Sequence, residues 1–97
     1  MNHVMVRYRV KPDRATENEE LVRAVYAELH RTQPDGFHYA TYRLDDGVSF
    51  IHIATQTGDA PNPLTELEAF QRFLNDIADR CEDQPAPSEL HEIGCYR

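Results

Sequence analysis

A chain of 97 residues has room for one domain and no second core. Leu, Ile, Val and Phe supply only 21 of those residues and there are only two cysteines, so a small core without a disulfide framework makes self-association the expected route to stability. The net charge of −7, with nine acidic against three basic residues in 58–97, excludes a nucleic-acid partner, because such affinity comes from basic side chains that neutralise phosphates. No apolar run approaches the ~18 residues of a membrane span, and Met1 is not followed by a signal segment, so a cytoplasmic protein off the membrane is expected, with residues 1–97 forming a single domain.

In HVMVRYRV, residues 3–10, Val4, Val6, Tyr8 and Val10 alternate with His3, Met5, Arg7 and Arg9, which predicts a first strand with two unlike faces. Pro12 ends it. Asp13 or Thr16 can cap the helix that follows, Thr16 with Glu19 having the spacing of a capping box. Leu21, Val22, Val25, Tyr26 and Leu29 give that helix one apolar stripe, and it runs to about Thr32 before Pro34, Asp35 and Gly36 stop it.

Residues 37–44, FHYATYRL, and 48–55, VSFIHIAT, are β-rich and joined by Asp45, Asp46 and Gly47, a hairpin signal with Asp46 and Gly47 as the loop. After the loop GDAPNP, Leu67, Phe70, Leu74, Ile77 and Cys81 share one face of a helix predicted over 64–83, with Thr65 and Glu68 as its capping box. Pro85 and Pro87 break it, and SELHEIGCYR from Ser88 is expected as the last strand, with Cys81 and Cys95 both buried. The order β-α-β-β-α-β predicts an α+β, ferredoxin-like fold: a four-stranded antiparallel sheet, first and third strands central, with two helices on one face.

With that hairpin, facing residue numbers sum to 93, so Tyr42 faces Ile51 and Ala40 faces Ile53. These four, with Leu44, are expected under the helices beside Val4, Val6, Tyr8 and Val10. The opposite face then carries Phe37, Tyr39, Thr41, Arg43, Phe50, His52 and Ala54, next to Met5, Arg7 and Arg9. Aromatics with arginines suit a subunit interface or a pocket for a small aromatic or anionic ligand. For Phe37, Tyr39 and Phe50 the favoured reading is dimer core, and for Arg7, Arg9 and Arg43 interface or rim pairing with carboxylates. Met5, Arg7, Arg9, Phe37, Thr41 and Phe50 are the candidate ligand contacts.

His52 falls mid-strand opposite Thr41, near Arg7 or Arg9, whose charge would favour its neutral form. It is a candidate proton acceptor or hydrogen-bond partner for a phenol-like substrate, against the plainer reading of a histidine bonded inside an interface. No two histidines stand at HxH or HxxxH spacing, so no metal site is expected. Neither serine lies in GxSxG and the glycines form no phosphate loop, which sets aside hydrolase and nucleotide-binding readings.

The strand VRYRV followed by KPDRATENEELVRAVY, the hairpin FHYATYRLDDGVSFIHIA and the segment NPLTELEAFQRF resemble the dimeric α/β-barrel superfamily, in particular the small proteins grouped with antibiotic biosynthesis monooxygenases. The likeness spans nearly the whole chain. It implies a homodimer in which two sheets face one another, and here a cavity enclosed between them. Members include cofactor-independent oxygenases of quinol-like aromatics, haem-degrading enzymes and isomerases. The haem-degrading pattern of Asn, Trp and a His on the second helix is not met, since the chain has no Trp and no His in 64–83. The resemblance implies a monooxygenase without cofactor, with Tyr39 and His52 polarising or deprotonating a phenolic substrate and Arg7 or Arg9 steadying the anion. The alternative is a non-catalytic, ligand-binding or stress-associated dimer built on the same residues.

Overall fold

A computed structural model describes residues 2–58 and 61–96, so two positions of the predicted GDAPNP loop, Asp59 and Ala60, lie outside the described residues. Strand β1 (Asn2–Val10) leads through a 3-10 turn at Pro12–Arg14 into helix α1 (Ala15–Thr32). Neither Asp13 nor Thr16 caps it: the helix begins at Ala15 with no side-chain cap, which places Thr16 inside the first turn. Its C-terminus closes on Gln33 in the left-handed region.

Strands β2 (Phe37–Arg43) and β3 (Ser49–Gln56) form the hairpin with the expected pairing, Ala40 opposite Ile53 and Tyr42 opposite Ile51. The connection is longer than two residues. Leu44 and Ser49 close it, Gly47 takes a positive φ of 77°, and the Asp46 carboxylate accepts from the N–H groups of Val48 and Ser49 and from the Ser49 hydroxyl. The residue-number sum is unchanged, so the register survives the different turn.

The segment predicted as one helix over 64–83 is broken. A 3-10 turn at Pro63–Glu66, capped by Asn62 through the Leu64 N–H, precedes α2 (Glu68–Leu74). Asn75 and Asp76 interrupt the chain, Asp76 with a φ of 62°, before the single turn α3 (Ile77–Arg80). The Thr65–Glu68 capping box does not form. Instead the Glu28 carboxylate on α1 accepts from the Ala69 N–H at 2.9 Å, so α2 is capped from the neighbouring helix.

Strand β4 (Cys81–Leu90) starts seven residues earlier than Ser88 and contains both Pro85 and Pro87. They are tolerated because the sheet order is β2-β3-β1-β4, which leaves β4 at an edge where missing N–H donors can face outward. Residues 91–96 form no regular element, and Cys95 is exposed rather than buried, while Cys81 is buried as expected. The sheet is antiparallel throughout, β1 and β3 are central, and the helices pack on one face, giving the ferredoxin-like arrangement.

Which residues face the helices is reversed for the hairpin. β1 pairs with β3 so that Val6 faces His52 and Tyr8 faces Phe50. Residues directly opposite in a ladder share a face, so His52, Phe50 and Ala54 lie with the valines beneath the helices, joined by Phe37, Tyr39 and Thr41. Ala40, Tyr42, Ile51 and Ile53 are turned to the open face with Met5, Arg7 and Arg9, where Tyr42 is 57% exposed. Hydropathy cannot decide between the two faces of this hairpin, since both are apolar; the rings of Phe50, Tyr39 and Phe37 win because they fill the thicker layer under α1 and α2.

Candidate functional site

The inner sheet face is not packed solid. A cavity of about 260 Å³ lies between it and α2, floored by Val4, Val6, Tyr39 and His52 and roofed by Phe70 and Phe73. Its wall is chiefly apolar, and exposed Asn2 and Asn62 stand at its solvent side. The size is just below the ~300–1,000 Å³ usual for drug-sized ligands, which selects a small, flat molecule.

One polar cluster enters this apolar wall. Tyr8, on β1, and His52, on β3, point to the same side, and the Tyr8 hydroxyl lies 2.7 Å from His52 Nε2. Tyr39, brought in by β2, places its hydroxyl 2.5 Å from the other ring nitrogen, Nδ1. Thr41 Oγ1 is 3.2 Å from Nδ1 and bonded in turn to the Tyr26 hydroxyl on α1 at 2.9 Å. The imidazole is thus clamped at both nitrogens and lies 5.4 Å, centroid to centroid, from the Phe73 ring.

Behind Tyr8 the cluster continues inward. Asn18, fully buried on α1, donates from Nδ2 to the Tyr8 oxygen at 2.9 Å, and accepts at Oδ1 from Arg80 Nε at 3.2 Å. Arg80 is 1% exposed; its other donors go to the carbonyls of Asn75 and Phe73, and the guanidinium stacks over the Phe73 ring. Among the described residues no carboxylate pairs with it. The break between α2 and α3 creates this position: the carbonyls freed there are the ones the guanidinium takes.

Burial governs the ionisation of this cluster. It pulls His52 down to about 4, so the imidazole is neutral at neutral pH. The expected cause, a charge from Arg7 or Arg9, does not operate, because both lie on the far side of the sheet. Burial likewise pushes the Tyr8 and Tyr39 phenols well above their ordinary range, which keeps both hydroxyls protonated.

Of the predicted site residues, the structure brings His52, Tyr39 and Phe37 together at the cavity and sets Thr41 directly behind the imidazole. Phe50 is 1% exposed and stacks on Tyr8 at 5.6 Å, a core residue rather than a cavity wall. Met5, Arg7 and Arg9 are on the open face; Arg9 pairs with Glu82 and Asp83 at the surface. No arginine of β1 can therefore steady a ligand anion here, and this cavity is enclosed by the chain's own sheet and helices. Tyr8, Asn18, Arg80 and Phe73 were missed. Asn18 had a signal, a polar residue four before Val22 on the apolar stripe of α1, and Arg80 another, three after Ile77 on that of the second helical segment.

The sequence matches no protein-family model and no curated protein. Solved structures do match in shape. A structure described as a putative antibiotic biosynthesis monooxygenase from Nitrosomonas europaea is 15% identical, with 97% of this chain and 100% of that chain covered and a TM-score of 0.76. SnoaB from Streptomyces nogalater, described as a cofactor-independent oxygenase, is 18% identical over 97% of this chain and 94% of its own, with a TM-score of 0.70. A Pseudomonas aeruginosa protein gives 19%, 96%, 94% and 0.74 on the same measures. Agreement in shape over almost the full length of each pair of chains establishes that this chain has the fold of the antibiotic biosynthesis monooxygenase-like proteins.

Proposed function

We propose that the protein is a homodimeric monooxygenase that needs no cofactor and acts on a small quinol- or anthrone-like aromatic bound in the cavity of each protomer. The observation that carries this reading is the clamped pair of Tyr39 and His52 set into an otherwise apolar wall, the arrangement that orients one oxygen of a flat ring system. The likeness in fold to proteins described as monooxygenases and to a cofactor-independent oxygenase supports the reaction class.

In such a reaction an anthrone-type methylene loses both hydrogens and gains one atom of dioxygen as a carbonyl, while the second oxygen atom leaves with the two hydrogens as water. The substrate must first take an electron-rich, enolate- or phenolate-like form. Tyr39 holds the substrate oxygen, and His52 holds Tyr39. With an imidazole titrating near 4, His52 is a weak proton acceptor at neutral pH, so its part is to fix the phenol rather than to take the substrate's proton. Phe70 and Phe73 stack over the ring and keep water from it. The open sheet face, with Met5, Tyr42, Ile51 and Ile53, is the surface for the second copy.

Oxygen uptake with a panel of hydroquinones and anthrones tests the reading. The parent should turn over at least one of them, with Tyr39→Phe and His52→Ala slower by tenfold or more. A parent that binds these ligands without consuming oxygen is a binding protein and not an oxygenase. Turnover that neither substitution slows would place the chemistry elsewhere.

A further inference from the structure

The buried cluster has a direction, and the residue that sets it lies at the end remote from the cavity. A guanidinium can only donate, so the Asn18 atom facing Arg80 Nε at 3.2 Å must be the amide oxygen. The Asn18 nitrogen is thereby turned to Tyr8, and the Tyr8 oxygen accepts from it at 2.9 Å. Tyr8 must then spend its own proton elsewhere. The one acceptor in reach among the described residues is His52 Nε2 at 2.7 Å, so that nitrogen is bare and the neutral ring carries its proton on Nδ1. Nδ1–H in turn donates to the Tyr39 oxygen at 2.5 Å. Tyr39, a residue of the cavity wall, having accepted, keeps a hydroxyl proton to give away, with the Thr41 hydroxyl, to which it is hydrogen-bonded, as its resting acceptor when the cavity is empty.

We infer that Arg80 and Asn18 are positioning residues which orient the chain Arg80→Asn18→Tyr8→His52→Tyr39, so that the cavity presents a hydrogen-bond donor and selects ligands carrying an acceptor oxygen, a carbonyl or a phenolate. A buried guanidinium without a carboxylate is costly to keep, and here it supplies an end that can only donate and so cannot reverse. Each link also passes some of that positive polarity toward the ligand. The ligand class rests on the proposed use of the cavity as substrate site; the direction of the chain does not.

The tautomer of His52 decides the matter. Long-range proton–nitrogen correlation spectra of histidine-labelled parent protein should show His52 with Nδ1 protonated and Nε2 bare; the opposite tautomer would overturn the inference. Asn18→Asp keeps the shape and pairs with Arg80, but offers Tyr8 an acceptor, so the whole chain should reverse and the proton move to Nε2. An unchanged Nδ1–H in that variant refutes control by Asn18. Should Asn18→Asp not fold, Asn18→Leu removes the donor without adding charge and should give both tautomers; a single Nδ1–H tautomer there refutes the same control. For the ligand, the parent should bind tetralone roughly three- to tenfold more tightly than tetralin, the yield of one net hydrogen bond, and Asn18→Asp and Tyr39→Phe should lose that preference. Equal affinities in the parent contradict the donor assignment. Because the tautomer is read without turnover, an inactive protein with the expected tautomer rejects only the oxygenase reading.

Discussion

Glu28 on α1 and Ala69 on α2 are joined by a single hydrogen bond, 2.9 Å from the Ala69 N–H to Glu28 Oε1, which ties the start of the cavity's roof to the long helix as Arg80 ties its end. The second segment is too short to hold itself: α2 has seven residues, no side-chain cap of its own, and ends at Asn75. A carboxylate at its first turn both satisfies an unpaired donor and meets the positive end of the helix. Glu28→Ala should therefore lower unfolding stability by about 1 kcal/mol, with Glu28→Gln losing less because it retains an acceptor. Urea denaturation of the three proteins checks this. Equal midpoints for Glu28→Ala and the parent would show that α2 is held by packing alone.

His52 makes the fold acid-sensitive in a defined window. Its folded value is depressed to about 4 from an unfolded value near 6.5, so between these limits the unfolded chain binds the extra proton. The stabilisation is complete above pH 6.5 and is lost as pH falls toward 4, by an amount on the order of 3 kcal/mol. Glu17, Glu19, Asp46 and Asp79 are also depressed, by hydrogen bonds to Arg14, Arg43, Ser49 and Arg14 respectively. Their contributions fall away only below the ordinary carboxylate range. Urea midpoints measured from pH 7.5 to 4.5 should drop steadily in the parent and much less in His52→Gln. Parallel curves would mean that the imidazole is not buried neutral.

The open sheet face makes a separate prediction about assembly. Ile51 and Ile53 are half-buried there, and Tyr42 is 57% exposed, an apolar strip that no element among the described residues covers. Tyr42→Glu and Ile53→Glu should shift sedimentation at low micromolar concentration from dimer to monomer while leaving the far-ultraviolet circular dichroism intact. A parent already monomeric under those conditions would remove the dimer.

Several elements were legible in the sequence for identifiable reasons. The Asp45-Asp46-Gly47 turn and the aromatic and β-branched runs around it fix the hairpin register, because any hairpin closing symmetrically about Asp46 and Gly47 pairs Thr41 with His52. The face was not legible. Ile51 and Ile53 compete with Phe50 and Ala54, and only the pairing of Val6 with His52, a contact with a strand more than forty residues away, breaks the tie. Helical periodicity revealed the second helical segment but not its interruption, since the left-handed Asp76 leaves the apolar spacing nearly undisturbed. Pro85 and Pro87 read as breakers because their harmlessness depends on β4 being an edge. Alternation puts His52 and Tyr39 on one side of the hairpin and makes that pair legible, whereas the link of Tyr8 to them rests on the β1–β3 register, which no local pattern carries.

Ligand bound between the sheet and its own helices must disturb the methyl groups of that layer alone. On titration of naphthol into methyl-labelled protein, proton–carbon correlation spectra should shift at Val4, Val6, Leu64 and Ile77, which border the cavity, with Met5, Ile51 and Ile53 unmoved. Shifts confined to Met5, Ile51 and Ile53 would contradict binding there.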